Sequence, residues 1–244
     1  MGGQANTNST FGSTNLNGSI LSVVSENTTA GFSIGTYTGT GGLKTVGHGL
    51  GVVPALIMVK CRSNAVDWCV YHQNAASSPE DGSLTLNDTA AFDDNDNRWN
   101  DTAPTSSVFT VYSSNEVNDS GKTYVYYAFS EIEGFSKFGS YSGNGSTSGP
   151  YIYTGFRPAW IMIKRVDTNL YWWGMVDDTR DPTNDHSKGI LYANDSYAED
   201  TDNILDNVSN GFRLNSTGAF VNNSSGTYVY MAFAEFPFKY ANAR

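Results

Sequence analysis

Histidine and cysteine are scarce in this chain, three and two residues among 244, and that scarcity limits the chemistry open to it. No HExxH, G-x-S-x-G, Walker loop or C-x-x-C pair occurs, so the common ready-made sites of metalloproteases, hydrolases, nucleotide-binding proteins and thiol redox proteins are missing. A nucleophile and a base brought together by the fold are the remaining route to catalysis, and the chain reads as a non-enzyme. Basic residues are also few: 14 Lys and Arg against 24 Asp and Glu leave a net charge of −10. That balance repels phosphate backbones and offers no basic stripe, so nucleic acid is not an expected partner. No run approaches the ~20 apolar residues of a membrane helix, and Met1–Asn6 has neither a basic nor an apolar signal region. Membrane insertion and a secretory signal are therefore not expected.

What is present is repetition. Tyr124-Val125-Tyr126-Tyr127-Ala128-Phe129 returns as Tyr228-Val229-Tyr230-Met231-Ala232-Phe233, about 104 residues later. Pro54-Ala55-Leu56-Ile57-Met58-Val59-Lys60 returns as Pro158-Ala159-Trp160-Ile161-Met162-Ile163-Lys164, and Gly31-Phe32-Ser33 as Gly134-Phe135-Ser136. A period of this length suits an independent domain, not a solenoid unit. The expected organisation is an extended N-terminal arm over 1–30, rich in Asn, Ser, Thr and Gly, followed by domains at 31–133 and 134–244.

Helical periodicity is nearly absent. Short runs rich in Val, Ile, Tyr, Phe and Trp, bounded by Gly, Asn, Asp, Ser and Pro, predict all-β structure: two tandem, internally duplicated β-sandwich, jelly-roll-like domains. Both faces of the Tyr-Val-Tyr strand are apolar, which predicts a central strand with a layer on either side. The turn before it aligns Ser120-Gly121-Lys122 with Ser225-Gly226-Thr227. Cys61 and Cys69 flank a predicted hairpin, and their counterparts are Arg165 and Trp173. A bridge would depend on loop parity, and buried free thiols are expected.

Function candidates follow from residue type. His48, His72 and His186 are not repeated, so they are not scaffold. Asp93, Asp94 and Asp96, and Asp177, Asp178, Asp181 and Asp185, offer the hard oxygen ligands that calcium prefers, without EF-hand spacing. Such loops are common solvated turns in acidic β proteins and read as that here, so no cofactor is expected, calcium being the lesser alternative. Glu131 and Glu235 are the paired carboxylates a glycosidase would need, but as ends of repeated strands they read as scaffold. Aromatics are the stronger signal, with 15 Tyr, 13 Phe and 5 Trp. Trp160, Tyr171, Trp172 and Trp173 cluster in the second repeat, where flat rings on a β surface would stack on sugars or fill an interface.

The runs Gly31-Phe32-Ser33-Ile34, Val46-Gly47-His48-Gly49-Leu50-Gly51, Asn118-Asp119-Ser120-Gly121-Lys122-Thr123-Tyr124-Val125 and Gly155-Phe156-Arg157-Pro158-Ala159-Trp160 carry a family likeness. Together they resemble a two-repeat domain of unknown function found in virion structural proteins of tailed bacteriophages, notably marine ones, over about residues 18–238. The resemblance implies a virion surface subunit of tail, fibre or capsid, held by its N-terminal arm and by contacts with other virion proteins. It implies a symmetric oligomer, with a trimer the leading expectation. A carbohydrate-binding module that recognises host cell-surface glycan is the alternative, and a polysaccharide depolymerase a more distant one. No catalytic or binding residue is carried over by the resemblance.

Overall fold

The computed structural model describes residues 12–180 and 189–234. The chain divides into two compact units: residues 1–85 with 93–130, and residues 86–92 with 131–244. Both are antiparallel β structures.

In the first unit, β1 (Ser13–Asn15), β2 (Ser22–Asn27), β3 (Phe32–Thr38), β4 (Lys44–Gly47) and β5 (Leu56–Cys61) come first, followed by β6 (Trp68–His72), β7 (Gly82–Thr85), β8 (Asp93–Asp94), β9 (Val108–Val111) and β10 (Thr123–Phe129). Eight of them form one sheet, ordered β1-β2-β3-β10-β5-β6-β7-β8, and β4 and β9 form a second. Alternation along β10 turns Tyr124, Tyr126 and Ala128 inward. There they share a core with Val24, Tyr37, Val59 and Tyr71 of the large sheet and with Val46, Phe109 and Val111 of the small one.

The second unit contains β11 (Ser136–Ser142), β12 (Tyr151–Tyr153), β13 (Pro158–Arg165), β14 (Trp173–Asp177), β15 (Leu191–Tyr192), β16 (Leu205–Val208), β17 (Gly211–Leu214) and β18 (Thr227–Ala234), with a single helical turn, α1 (Ala219–Asn222). One sheet runs β11-β18-β13-β14-β15 and the other β12-β17-β16. Their shared core gathers Ile161, Ile163, Val176, Tyr228, Tyr230 and Ala232 with Ile152, Phe212 and Leu214. In β18 the outward Val229 and Met231 are buried, 1 % and 6 % exposed. In β10 the outward Val125, Tyr127 and Phe129 are only half-buried.

A buried tyrosine pair recurs in each unit. Tyr37 stacks on Tyr124 at 5.1 Å and Tyr141 on Tyr228 at 5.0 Å, with interplanar angles of 14° and 12°. Burial raises the Tyr37 and Tyr141 hydroxyl pKa values well above the usual phenol value, so each stays a neutral donor, and each finds an acceptor. Tyr37 Oη donates to Val117 O at 2.5 Å and Tyr141 Oη to Val221 O at 2.8 Å. Tyr124 Oη donates to Asn115 O and accepts from Asp119 N, while Tyr228 Oη donates to Ala219 O and accepts from Asn223 N. Opposite the next ring inward, each unit has a glycine: Gly35 faces Tyr126 and Gly139 faces Tyr230. A Cβ there would lie 2.4 Å from the Tyr126 ring and 2.6 Å from Tyr230 Oη.

Three expectations need correction. Residues 13–27 are not an arm: β1 and β2 pair into the large sheet, and Ile20, Ser22 and Val24 are buried. Their polar composition hid a period-2 pattern in which Ser22 is buried because its hydroxyl donates to Gly47 O at 2.9 Å. Residues 1–11 lie outside the described residues. Second, the turn before the last strand aligns one residue differently. Gly121 N donates to Gly39 O and Ser225 N to Gly143 O, so Ser225, not Gly226, stands where Gly121 does. Third, Gly-Phe-Ser is out of step, since Ser130 N donates to Gly31 O whereas Ala234 N donates to Phe135 O. The two cysteines are free and buried; β5 sets Val59, not Cys61, opposite Cys69.

Ser225 occupies the left-handed region at φ 64° and Gly121 sits there at φ 75°. An L residue pays for that conformation with a Cβ clash that glycine avoids. Ser225→Gly is therefore expected to stabilise the protein by about 0.5–1 kcal/mol in urea unfolding. Gly139→Ala is expected to destabilise it by about 1–3 kcal/mol, because the added methyl meets the Tyr230 side chain.

Candidate functional site

The four aromatics expected to form one surface do not. Trp173 begins β14, pairs with Lys164 and is 3 % exposed, so it is a core residue. It is not a ligand-stacking ring. Trp160, on β13, is half-buried and packs on Phe233 at 5.9 Å. Tyr171 lies under the Arg165 guanidinium, 4.7 Å from the ring centroid.

Trp172 belongs to a different group. Its ring lies 5.2 Å from Tyr192 and 5.9 Å from Tyr197, the second contact edge-on at 72°, and Tyr192 in turn meets Phe220 at 6.0 Å. Trp172 precedes β14 and is half-buried, whereas Trp173, the first residue of the strand, is buried. Two carboxylates fix the rings: Trp172 Nε1 donates to Asp195 Oδ2 at 2.9 Å, and Tyr192 Oη to Asp200 Oδ2 at 3.0 Å. Burial and the Asp200 carboxylate push the Tyr192 phenol above its ordinary pKa. Asn194 secures the loop by accepting the Trp173 N–H at 2.9 Å. Tyr197 is 63 % exposed, so the group opens to solvent. In the residue pattern this loop is marked only by its Asn194-Asp195 pair.

Beside it lies a buried cation. Lys164, with almost no exposed surface, donates from Nζ to Thr89 O at 3.1 Å and Tyr171 O at 2.6 Å. Burial lowers its pKa to about 8, against a smaller pull from Asp88. Thr89 O also accepts from Tyr171 N, Ala91 N donates to Asn169 Oδ1, and Phe92 N donates to Val166 O, so residues 86–92 are bound to the β13–β14 connection by backbone bonds and by this amine. Arg165 pairs with Asp167 at 2.8 Å, which holds the Asp167 carboxyl below the usual carboxylate range.

The remaining candidates are structural fasteners. His48 is buried; its Nδ1 accepts from Leu50 N and its Nε2 lies 3.0 Å from Thr105 O. His72 is buried as well, with Nδ1 accepting from Asn74 N. Glu131 pairs with Lys137 and accepts the Phe138 N–H. Asp93 pairs with Arg98, and Asp177 with Arg180. Among the described residues no group of three His, Cys, Asp or Glu could hold a metal ion. His186, Asp181, Asp185 and Glu235 lie outside the described residues.

The fold defines an all-β protein of two sandwich units, with its exposed ring cluster on loops of the second. The chain belongs to a family described as a domain of unknown function, DUF7483, which matches residues 5–237. Neither a curated protein nor a solved structure matches it.

Lys164 generates a pH test. An unfolded lysine titrates near ~10.4, above the folded value of about 8. Between those values the unfolded state holds more protons, so stability rises with pH across that window. Below about pH 8 the full cost of burying the charge is present. Lys164→Met is expected to remove this rise: wild type should gain about 2 kcal/mol relative to the variant between pH 7 and pH 10 in chemical denaturation.

Proposed function

We propose that the protein is a structural subunit of a bacteriophage virion surface, on the tail, fibre or capsid, and that it contributes to host recognition by binding cell-surface glycan. The virion role is supported by the resemblance of its repeated motifs to virion domains. The glycan role is carried by one observation: Trp172, Tyr192 and Tyr197 form a solvent-open group of rings held by Asp195 and Asp200. Sugars stack their C–H faces on aromatic rings and offer hydroxyls to carboxylate acceptors. Rings fixed by hydrogen bonds lose little freedom on binding, which favours affinity.

Attachment in this reading falls to residues 1–11 and to contacts between copies, since residues 13–27 are committed to the first unit. A symmetric oligomer, expected as a trimer, presents several ring clusters at once and raises avidity. The test uses the full chain on an array of bacterial surface polysaccharides. Wild type is expected to bind, and Trp172→Ala to lose at least about tenfold in affinity with its thermal unfolding little changed. Absence of binding to every polysaccharide on the array would sink the recognition role. Particles assembled with a chain lacking residues 1–11 test attachment, and full occupancy would exclude that segment as the anchor.

A further inference from the structure

The ring group of the second unit sits among carboxylates, and their placement selects a class of glycan. Asp195 and Asp200 bond the rings directly, and Asp202 acts with Asp200 on the Tyr192 hydroxyl. Glu199 is paired with Arg180 at 3.0 Å, and that guanidinium also holds Asp177 at 2.5 Å. Among the described residues Asp195, Asp200 and Asp202 have no ion pair, so their negative charge is the feature those residues give the surroundings of the rings.

We infer that this site takes an uncharged, hydroxyl-rich glycan, of hexose or N-acetylhexosamine units, and rejects uronate-bearing and other anionic polymers. The inference rests on the glycan reading above and specifies its ligand. The edge-on meeting of Trp172 and Tyr197 at 72° makes a corner with one ring as floor and the other as wall. A pyranose seated there lays its C–H face on one ring. Asp195 spends Oδ2 on the indole N–H and keeps Oδ1 as an acceptor for a sugar hydroxyl. Ionised carboxylates accept hydrogen bonds and donate none, which matches a donor-rich neutral sugar. A sugar carboxylate in the same corner would meet the repulsion of these aspartates, which acts over a Debye length of ~8–10 Å. It would also lose its own hydration without gaining a donor. Discrimination of this kind arises from the repulsive element as much as from the attractive one.

Isothermal titration of the full chain with three probes tests the inference: β-1,4-linked N-acetylglucosamine oligomers, dextran and polygalacturonate, at low and at high salt. Wild type is expected to bind at least one neutral probe with little salt dependence and to bind polygalacturonate at least about tenfold more weakly at low salt, the gap narrowing as salt screens the aspartates. Asp195→Asn keeps an acceptor for the indole N–H and removes one charge, so it should narrow the gap several-fold at low salt. Trp172→Ala should lose both kinds of binding, and Trp172→Phe, which retains a ring, should recover part of the neutral binding and so separate loss of the platform from loss of fold. Tighter binding of polygalacturonate than of either neutral probe, or an Asp195→Asn variant with the gap unchanged, overturns the inference while leaving a glycan-binding protein. Failure of all three probes together with every polysaccharide on the array overturns the glycan reading itself.

Discussion

A phenol carried into an apolar core must find an acceptor there, and both units are organised around meeting that demand twice. Tyr37 with Tyr124, and Tyr141 with Tyr228, form stacked pairs whose hydroxyls reach past the end of the sheet. The groups they reach are carbonyls of the segment that precedes the last strand: Asn115 and Val117 in one unit, Ala219 and Val221 in the other. Leaving such a hydroxyl unpaired costs about 1–3 kcal/mol, so the segment is held in place by the core itself. Once it is fixed, buried Asn118 and Asn222 extend the hold outward. Asn118 Oδ1 accepts from Thr40 N and Nδ2 donates to Gly42 O; Asn222 Oδ1 accepts from Asn144 N and Nδ2 donates to Ser146 O and Ser216 O. The chain of dependence runs from ring stacking to hydroxyl, to loop, to the turn after the first strand of each repeat.

This dependence explains what was legible in the residues. The Tyr-Val-Tyr strands, the Pro-initiated strands and the Val108 and Gly211 strands all bury large side chains, and burial of large side chains writes a visible period. Strands β1 and β2 were not legible because β1 is polar and largely exposed and β2 buries only Ser22, through its hydroxyl, and Val24, a composition that in sequence resembles a linker. The turn at Ser225 was misaligned because glycine attracts the eye at a turn, while the backbone placed the left-handed residue one position earlier. At the surface site, composition points to Trp172 and Trp173 alike; burial separates the two, the first half-buried ahead of β14 and the second enclosed at its start. Tyr192 and Tyr197 have no aromatic counterpart in the first repeat, and their meeting with Trp172 is a contact between a strand start and a distant loop that no local pattern encodes.

Repeated residues are also put to different uses, which limits what a repeat can say about function. Trp68 and Trp172 correspond, yet Trp68 lies on Tyr127 at 6.2 Å, a ring of its own sheet, and Trp172 joins the loop aromatics. Asn194 and Asp195 hold the Trp173 N–H and the Trp172 indole, whereas Asp88, in the matching Asn-Asp pair, accepts from Ala90 N in a tight local turn. Lys60 and Lys164 both donate to the hairpin that follows, Lys60 to Val66 O and Lys164 to Tyr171 O. Only Lys164 also holds Thr89 O, and that added bond comes with the burial that lowers its pKa. The conserved part of each pair is the position. The chemistry comes from the unrepeated partner.

The same reasoning applies to the edge of each sandwich. In the first unit, Ile20 N donates to Thr45 O, and Val24 packs where a Cβ on Gly49 would meet it at 3.2 Å, so β2 and the residues before it cover the edge of β4. Among the described residues the second unit has no counterpart of β2. There Tyr153, standing where Gly47 stands in the first, turns beside Gly155, with its Oη 3.6 Å from the Cβ position, and Phe156 fills the core where Leu50 does in the first unit. On β12, Tyr151 and Tyr153 are exposed. Among the described residues the exposed tyrosines Tyr151, Tyr153 and Tyr197 all lie in the second unit. What distinguishes the Trp172 group from that background is the pinning of its rings by carboxylates, because core replacement requires only the ring, whereas recognition requires the ring to hold one orientation.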